Sequence, residues 1–227
     1  MPLHPEIVTA VRRAPRDAVD VLIEHGVATA HEANARTGFM TGIRPVTDGL
    51  TAGGTAVTCL NYAGDNLMLH AAIERTEPGD VLVVGVTSPS AHGMFGEMLA
   101  TSCRAHGIAA VLLDAGARDV RELREMRYPT WARHIAASGT VKNLPGWVNV
   151  PVSCGGQVVF PGDAIVADDD GVVVIGRADA AAVAERAAER AANEAASRAS
   201  LATGRSTLDK GGRRELLAPF VRKEPGA

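Results

Sequence analysis

Across its first half the chain switches repeatedly between helix-like and strand-like spacing of apolar residues. Asp17 to His25 sets Val19, Leu22 and Ile23 on one helical face, and Gly26 stops it. Thr29 can cap a second short helix carrying His31, Glu32 and Asn34. Thr37 to Gly54 is rich in Gly, Thr and Pro and reads as loop, with a short extended piece around Ile43 to Val46. Thr55 to Leu60 alternates and is β-branched, as in a strand. Asp65 to Arg75 returns to helical spacing through Leu67, Met68, Ala71 and Ala72, and Glu77-Pro78-Gly79-Asp80 makes a turn. Val81 to Val86 is a continuous apolar run, as in a strand covered on both faces. A polar loop over Thr87 to Phe95 leads to a helix, Glu97 to His106, ended by Gly107. Ala109 to Asp114 is the next buried strand. This alternation predicts parallel βαβ units.

After a short helix over Arg121 to Met126 the pattern changes. Thr130 to Arg133, Thr140 to Lys142, Val148 to Val152, Val158 to Phe160, Ala164 to Ala167 and Val172 to Ile175 read as short strands between Gly, Pro and Asp turns. This half is expected to form a β-rich barrel or sandwich layer. Asp179 to Ala202 is a long helix rich in Ala, Glu and Arg whose narrow apolar stripe buries little in its own chain. It suits packing on a neighbouring subunit or facing solvent. Leu201 to Ala227 is expected to fray. The whole reads as one domain of α/β class over 1–227.

Composition narrows the function. Aromatic residues make up only 4%, so the core must be built of Val, Leu, Ile and Ala. A formal net charge of −3 offers no basic face for nucleic acid. No apolar run reaches membrane-spanning length, and the first residues lack the order of a signal peptide, so the expected location is cytoplasmic with no membrane partner. Cys59, Cys103 and Cys154 are odd in number and without CxxC spacing, which argues against a disulfide framework or structural zinc.

Candidate chemistry concentrates in Gly96 to Asp119, GEMLATSCRAHGIAAVLLDAGARD. A helix that begins at Gly96 presents unpaired N–H groups at the positive end of its dipole, so Gly96, Met98 and Leu99 can hold a substrate carboxylate through the backbone. An ordinary helix start with Glu97 as a first-turn charge would look the same. Arg118 and Asp119 follow a buried strand, at the end where α/β sheets bind ligands. Arg118 can grip a carboxylate or keto oxygen, and Asp119 is a hard ligand for Mg²⁺ or Mn²⁺; a surface ion pair would also have this sequence. The stretch contains no lysine, which disfavours a Schiff-base aldolase.

A carboxylate, twenty intervening residues and then Arg-Asp resembles the motif of the class II pyruvate aldolases of the RraA-like superfamily, here Glu97 and Arg118-Asp119. These enzymes cleave 4-hydroxy-4-methyl-2-oxoglutarate and 4-carboxy-4-hydroxy-2-oxoadipate. The likeness extends to VATAHEANARTG (Val27 to Gly38), LLDAGARDVREL (Leu112 to Leu123), SGTVKNLPGWVNVPVSCGG (Ser138 to Gly156) and PGDAIVADDDGVVVI (Pro161 to Ile175). It covers about residues 15 to 205. The resemblance implies an α/β/β sandwich that assembles as a trimer or hexamer, with sites at subunit interfaces. It implies metal-dependent cleavage of a 4-hydroxy-2-oxo acid in aromatic catabolism, with oxaloacetate decarboxylation as a side activity. By position, Gly96, Glu97, Met98 and Leu99 would line the substrate pocket, Arg118 would contact substrate, and Asp119 would bind Mg²⁺ or Mn²⁺. Glu97, where the family usually has Asp, would hold a water on the metal. Glu32, and Glu194 from an adjacent subunit, would join the outer water shell. The superfamily also contains a non-catalytic regulator that binds a ribonuclease, and enzymes acting on other oxo acids remain open.

Other residues carry weaker signals. His31 and His92 could serve the site or simply pack. Cys103 reads as core, Asp168 to Asp170 as a turn before Gly171, and Trp131 and Trp147 as packing.

Overall fold

The computed structural model describes residues 4–209 and 213–222. In chain order the elements are β1 (Glu6–Ile7), α1 (Arg16–Ala33), β2 (Arg44–Pro45), β3 (Ala52–Asn61), α2 (Leu67–Ile73) and β4 (Val81–Val86). Then come β5 (Gly93–Phe95), α3 (Glu97–Ala105), β6 (Ala110–Ala117), α4 (Val120–Glu125), β7 (Thr130–Ile135) and β8 (Trp147–Val148). The order closes with β9 (Val152–Cys154), β10 (Gln157–Val159), β11 (Ala164–Asp168), β12 (Gly171–Ile175), α5 (Ala180–Ala202) and α6 (Arg213–Leu217).

The main sheet runs β1-β8-β3-β4-β6-β7-β2, and its centre β3-β4-β6-β7 is parallel. Alternate residues of the central strands feed two different cores. Leu82, Val84, Val111 and Leu113 pack beneath α2, α3 and α4. Val81, Val83, Ala110 and Leu112 face the other way, against Met40, Ile43 and residues of β9 to β12. The continuous apolar runs in the sequence are therefore strands buried on both faces. The β11–β12 hairpin has a second buried side, which meets α1 and the first turns of α5.

The β-rich second half, expected from sequence to form a barrel or sandwich layer, does not form a sheet of its own. β7 and β8 join the main sheet, and β11 pairs antiparallel with the first half of β3. Only β9 and β10 stand apart, as a two-stranded pair. Together these give helices on one face of a central sheet and β-structure on the other.

At the N-terminus, α1 is one element broken at Gly26, which takes φ 76°. The second segment starts at Val27 rather than being capped by Thr29. Its first N–H donates to Asp168 Oδ2 at 2.8 Å, so the cap comes from a residue 141 positions away. Asp168 to Asp170 form the expected turn, and Asp168 also serves as this cap.

Thr140 to Lys142 is not a strand: only Val141 makes an isolated bridge, to Asp65. Asp65, which is 1% exposed, anchors the residues just after this stretch. Its Oδ1 accepts Leu67 N–H at 2.9 Å, and its Oδ2 accepts Asn143 N–H at 2.7 Å and Leu144 N–H at 2.9 Å. One carboxylate thus ties the start of α2 to the two residues that follow Lys142. Burial opposes its ionisation, but the three N–H groups and the Lys142 charge outweigh burial and hold the carboxyl below its ordinary value. A depressed folded value stabilises the fold above the unfolded pKa, and that stability is lost as pH falls through the folded value. Asp65→Asn is therefore expected to cost about 1–3 kcal/mol at neutral pH, with the gap to wild type closing below about pH 4. Denaturant titrations at both pH values measure this, and a gap that does not change with pH would contradict it.

The three cysteines are free and buried. Burial pushes the Cys59 and Cys103 thiols up to about 12, and raises Cys154 as well, so all three are packing groups. The described residues divide into two compact units at the boundary between Ala188 and Glu189, inside α5. Within the second unit, α6 and two short 3₁₀ turns, Thr207–Asp209 and Ala218–Phe220, stand where the sequence suggested fraying. Residues 210–212 and 223–227, included in that expectation, lie outside the described residues.

Candidate active site

The two halves of the Gly96–Asp119 stretch meet because β5 pairs with the end of β6. Gly93 lies opposite Gly116 and Phe95 opposite Ala117. Arg118 N–H donates to Phe95 O at 2.9 Å, which fixes the strand exit beside the start of α3. Asp119 then adopts the left-handed conformation, φ 52° and ψ 42°, which Asp tolerates better than most residues. This turn aims its carboxylate back at α3. A Cβ on Gly96 would lie 2.2 Å from Asp119 Oδ2, so the close approach requires glycine there.

The first hydrogen bond within α3 runs from Ala100 N–H to Gly96 O at 3.0 Å. The N–H groups of Glu97, Met98 and Leu99 precede it and belong to the unpaired first turn. Asp119 Oδ2 accepts the Glu97 N–H at 3.2 Å and lies 3.5 Å from Arg118 Nε. The N–H groups of Met98 and Leu99 are left for another anion.

Gly96, Met98, Leu99, Arg118 and Asp119 line one cavity of about 270 Å³. That is smaller than a drug-sized pocket and suits a small metabolite. Glu97 is not in its wall: its side chain accepts a hydrogen bond from Thr101 Oγ1 at 3.3 Å. Glu32 is paired with Arg36 at 3.1 Å, and Glu194 with Arg190 at 2.9 Å, and neither lines this cavity. His31 packs near Phe39, and His92 Nδ1 lies 3.0 Å from Ser90 Oγ.

The opposite wall comes from residues to which sequence reasoning gave no role: Asn66, His70, Thr140 and Lys142. Asn66 donates from Nδ2 to Met94 O at 2.8 Å, which fixes its amide so that Oδ1, buried and without a partner, can only accept. His70 follows one turn later, and its Nε2 is also buried without a partner. Burial, then the Lys142 charge, holds the imidazole below its ordinary pKa. The one available signal was the family-like segment Ser138 to Gly156, which contains Thr140 and Lys142. The absence of lysine from Gly96 to Asp119 does not keep lysine out of the cavity.

Among the described residues no group of three or more His, Cys, Asp or Glu side chains could enclose a metal ion. Asp119 can still supply one hard oxygen, Oδ1, because its contacts with Glu97 N–H and Arg118 Nε fall on Oδ2. Such a donor set fits Mg²⁺ or Mn²⁺, which accept water and substrate oxygens for the remaining positions, and does not fit zinc.

The family profile described as Aldolase/RraA matches residues 16–174. A protein of Halalkalibacterium halodurans named "Putative 4-hydroxy-4-methyl-2-oxoglutarate aldolase" is 32% identical over 151 residues, covering 66% of this chain and 72% of its own. A protein of Burkholderia multivorans with the same name is 32% identical over 149 residues, covering 64% of this chain and 90% of its own. Among solved structures, Streptomyces coelicolor RraAS2, described as an unusual member of the RNase ES inhibitor RraA protein family, superposes with TM-score 0.73 at 29% identity, over 83% of this chain and 99% of its own. An uncharacterized protein of Pseudomonas syringae gives 0.72 at 26%, over 88% and 98%. The profile match spans most of the chain and the solved relatives share its mixed α/β architecture: the chain belongs to the RraA-like family.

Proposed function

We propose that this protein is a cytoplasmic, divalent-metal-dependent pyruvate aldolase. It cleaves a 4-hydroxy-2-oxo di- or tricarboxylic acid to pyruvate plus pyruvate or oxaloacetate, and decarboxylates oxaloacetate as a side activity. The observation that carries this reading is one small cavity shared by Asp119, Arg118 and the open first turn of α3. The names of the two relatives that are 32% identical support it.

The N–H groups of Met98 and Leu99 suit the carboxylate of the pyruvyl half. Arg118 offers paired donors to that carboxylate or to the keto oxygen. In the reaction a proton leaves the 4-hydroxyl, the C3–C4 bond breaks, and its electron pair collects on the pyruvyl half as an enolate. Arg118 stabilises that developing charge. Mg²⁺ or Mn²⁺ held by Asp119 would supply further positive charge at the same oxygens. Glu97, by the family resemblance, would orient the water that accepts the proton, which requires its side chain to leave Thr101. Protonation of the enolate carbon then releases pyruvate. Decarboxylation of oxaloacetate passes through the same enolate. In this reading the chain works as a homotrimer or homohexamer, in which α5 packs on a neighbour and Glu194 and Glu32 complete the water shell.

Chelation with EDTA is expected to abolish pyruvate release from both substrates, with Mg²⁺ or Mn²⁺ restoring it; undiminished turnover in EDTA would sink the metal assignment. Arg118→Ala is expected to lower kcat/KM by about 10²–10³-fold and to weaken inhibition by pyruvate. Normal pyruvate inhibition in that variant contradicts its role. The likeness to RraAS2 favours a second reading, a regulator that binds a ribonuclease. Metal-dependent pyruvate release from oxaloacetate separates the two.

A further inference from the structure

We propose that Lys142 and His70 form the receptor for the distal carboxylate of the substrate, the one carried by the half that leaves. This rests on the aldolase reading. That reading gives the α3 end of the cavity to the pyruvyl carboxylate, and leaves the second carboxylate of a diacid without a site.

The far wall has the chemistry of an anion receptor. Lys142 lines the cavity and forms no ion pair recorded among the described residues. Asp65 feels its charge, but both Asp65 oxygens are already taken by the N–H groups of Leu67, Asn143 and Leu144. Those same bonds hold the backbone on the C-terminal side of Lys142 to the start of α2, so the lysine stem leaves a fixed point. His70 lines the same cavity, close enough for the Lys142 charge to act on its imidazole, and its Nε2 is buried with no partner. A buried polar atom left without a partner is costly, and a ligand oxygen can satisfy it. A neutral imidazole bearing its proton on Nε2 donates one hydrogen bond, and the ammonium donates another with charge assistance. Two donors and one positive charge match a carboxylate. Asn66 Oδ1, fixed as an acceptor, adds nothing to such an anion and is left for a group that carries a proton, as the 4-hydroxyl does.

The test measures binding separately from turnover. With Mg²⁺ present, calorimetry would compare 2-oxoglutarate with 2-oxopentanoate, which has the same chain length but no distal carboxylate. Wild type is expected to prefer the diacid by about 10- to 100-fold. Lys142→Met and His70→Leu are expected to remove most of that preference while leaving the affinity for 2-oxopentanoate within about twofold. Lys142→Arg and His70→Gln, which keep a donor in place, are expected to retain it. No preference in the wild type, or equal loss for both ligands in the variants, overturns the proposal. Loss of the preference in Lys142→Arg together with a borohydride-trapped pyruvate adduct on wild-type Lys142 also overturns it, because the amine is then the nucleophile. Cleavage of 4-hydroxy-4-methyl-2-oxoglutarate by the wild type tests the aldolase reading by itself, so the two can fail separately.

Discussion

Replacing Asp119 with asparagine is expected to reduce pyruvate release by at least about 10³-fold, the scale set by losing the hold on a cation that would stabilise the enolate. Asparagine is the informative choice. It tolerates the left-handed backbone at φ 52°, whereas alanine there would add about 1–2 kcal/mol of conformational strain and confuse two effects. The amide keeps an acceptor for the Glu97 N–H but removes the full negative charge. The variant should keep its thermal midpoint within a few degrees of wild type and lose its response to added Mg²⁺ or Mn²⁺. Asp119→Asn turning over at more than a tenth of the wild-type rate, about 1.4 kcal/mol of barrier, would show that its charge is not used.

Gly96→Ala is the second large effect. The added methyl would overlap Asp119 Oδ2 at 2.2 Å and press on Arg118 Cγ and Asp119 Cγ at 3.0 Å. Asp119 is the softest of these groups, so it moves and takes the candidate metal oxygen with it. Displacement by about 1 Å at a reacting centre costs on the order of 10²-fold in rate. Relief by movement of a half-exposed side chain keeps the stability loss to about 1–2 kcal/mol. The expected pattern is a folded protein with a small fall in melting temperature and a large fall in kcat. Wild-type kinetics in Gly96→Ala would mean that Asp119 has no fixed role in turnover.

The half of the site that could be read from sequence is the half made by neighbours in sequence. Gly96 to Asp119 is a single βα unit, so spacing alone brings its two ends together once β5 pairs with β6. The limits of β4 were legible because a strand covered on both faces is apolar at every position, and Val81 to Val86 is such a run. The facing wall was not legible, because α2 and the segment after β7 are brought together by tertiary contact. The link is Asp65, and a lone Asp at a helix start gives no sign of which distant N–H groups it will accept. Thr140 to Lys142 was read as a strand from its alternation, but of its residues only Val141 finds a bridge partner, Asp65. The cap on the second segment of α1 was hidden likewise, since Asp168 supplies it from 141 positions further along the chain.

The pairing of β3 also bears on how the chain reaches its fold. All ten residues of β3 are buried, yet only β4 among its partners is made soon after it. Its antiparallel neighbours are β8, from Trp147, and β11, from Ala164. During synthesis β3 therefore waits with one edge bare until more than half of the chain has been made. Long-range pairings of this kind slow folding and expose strand edges to other chains. Fragments ending before Trp147 would leave that edge open, and self-association is the expected fate of such truncated chains.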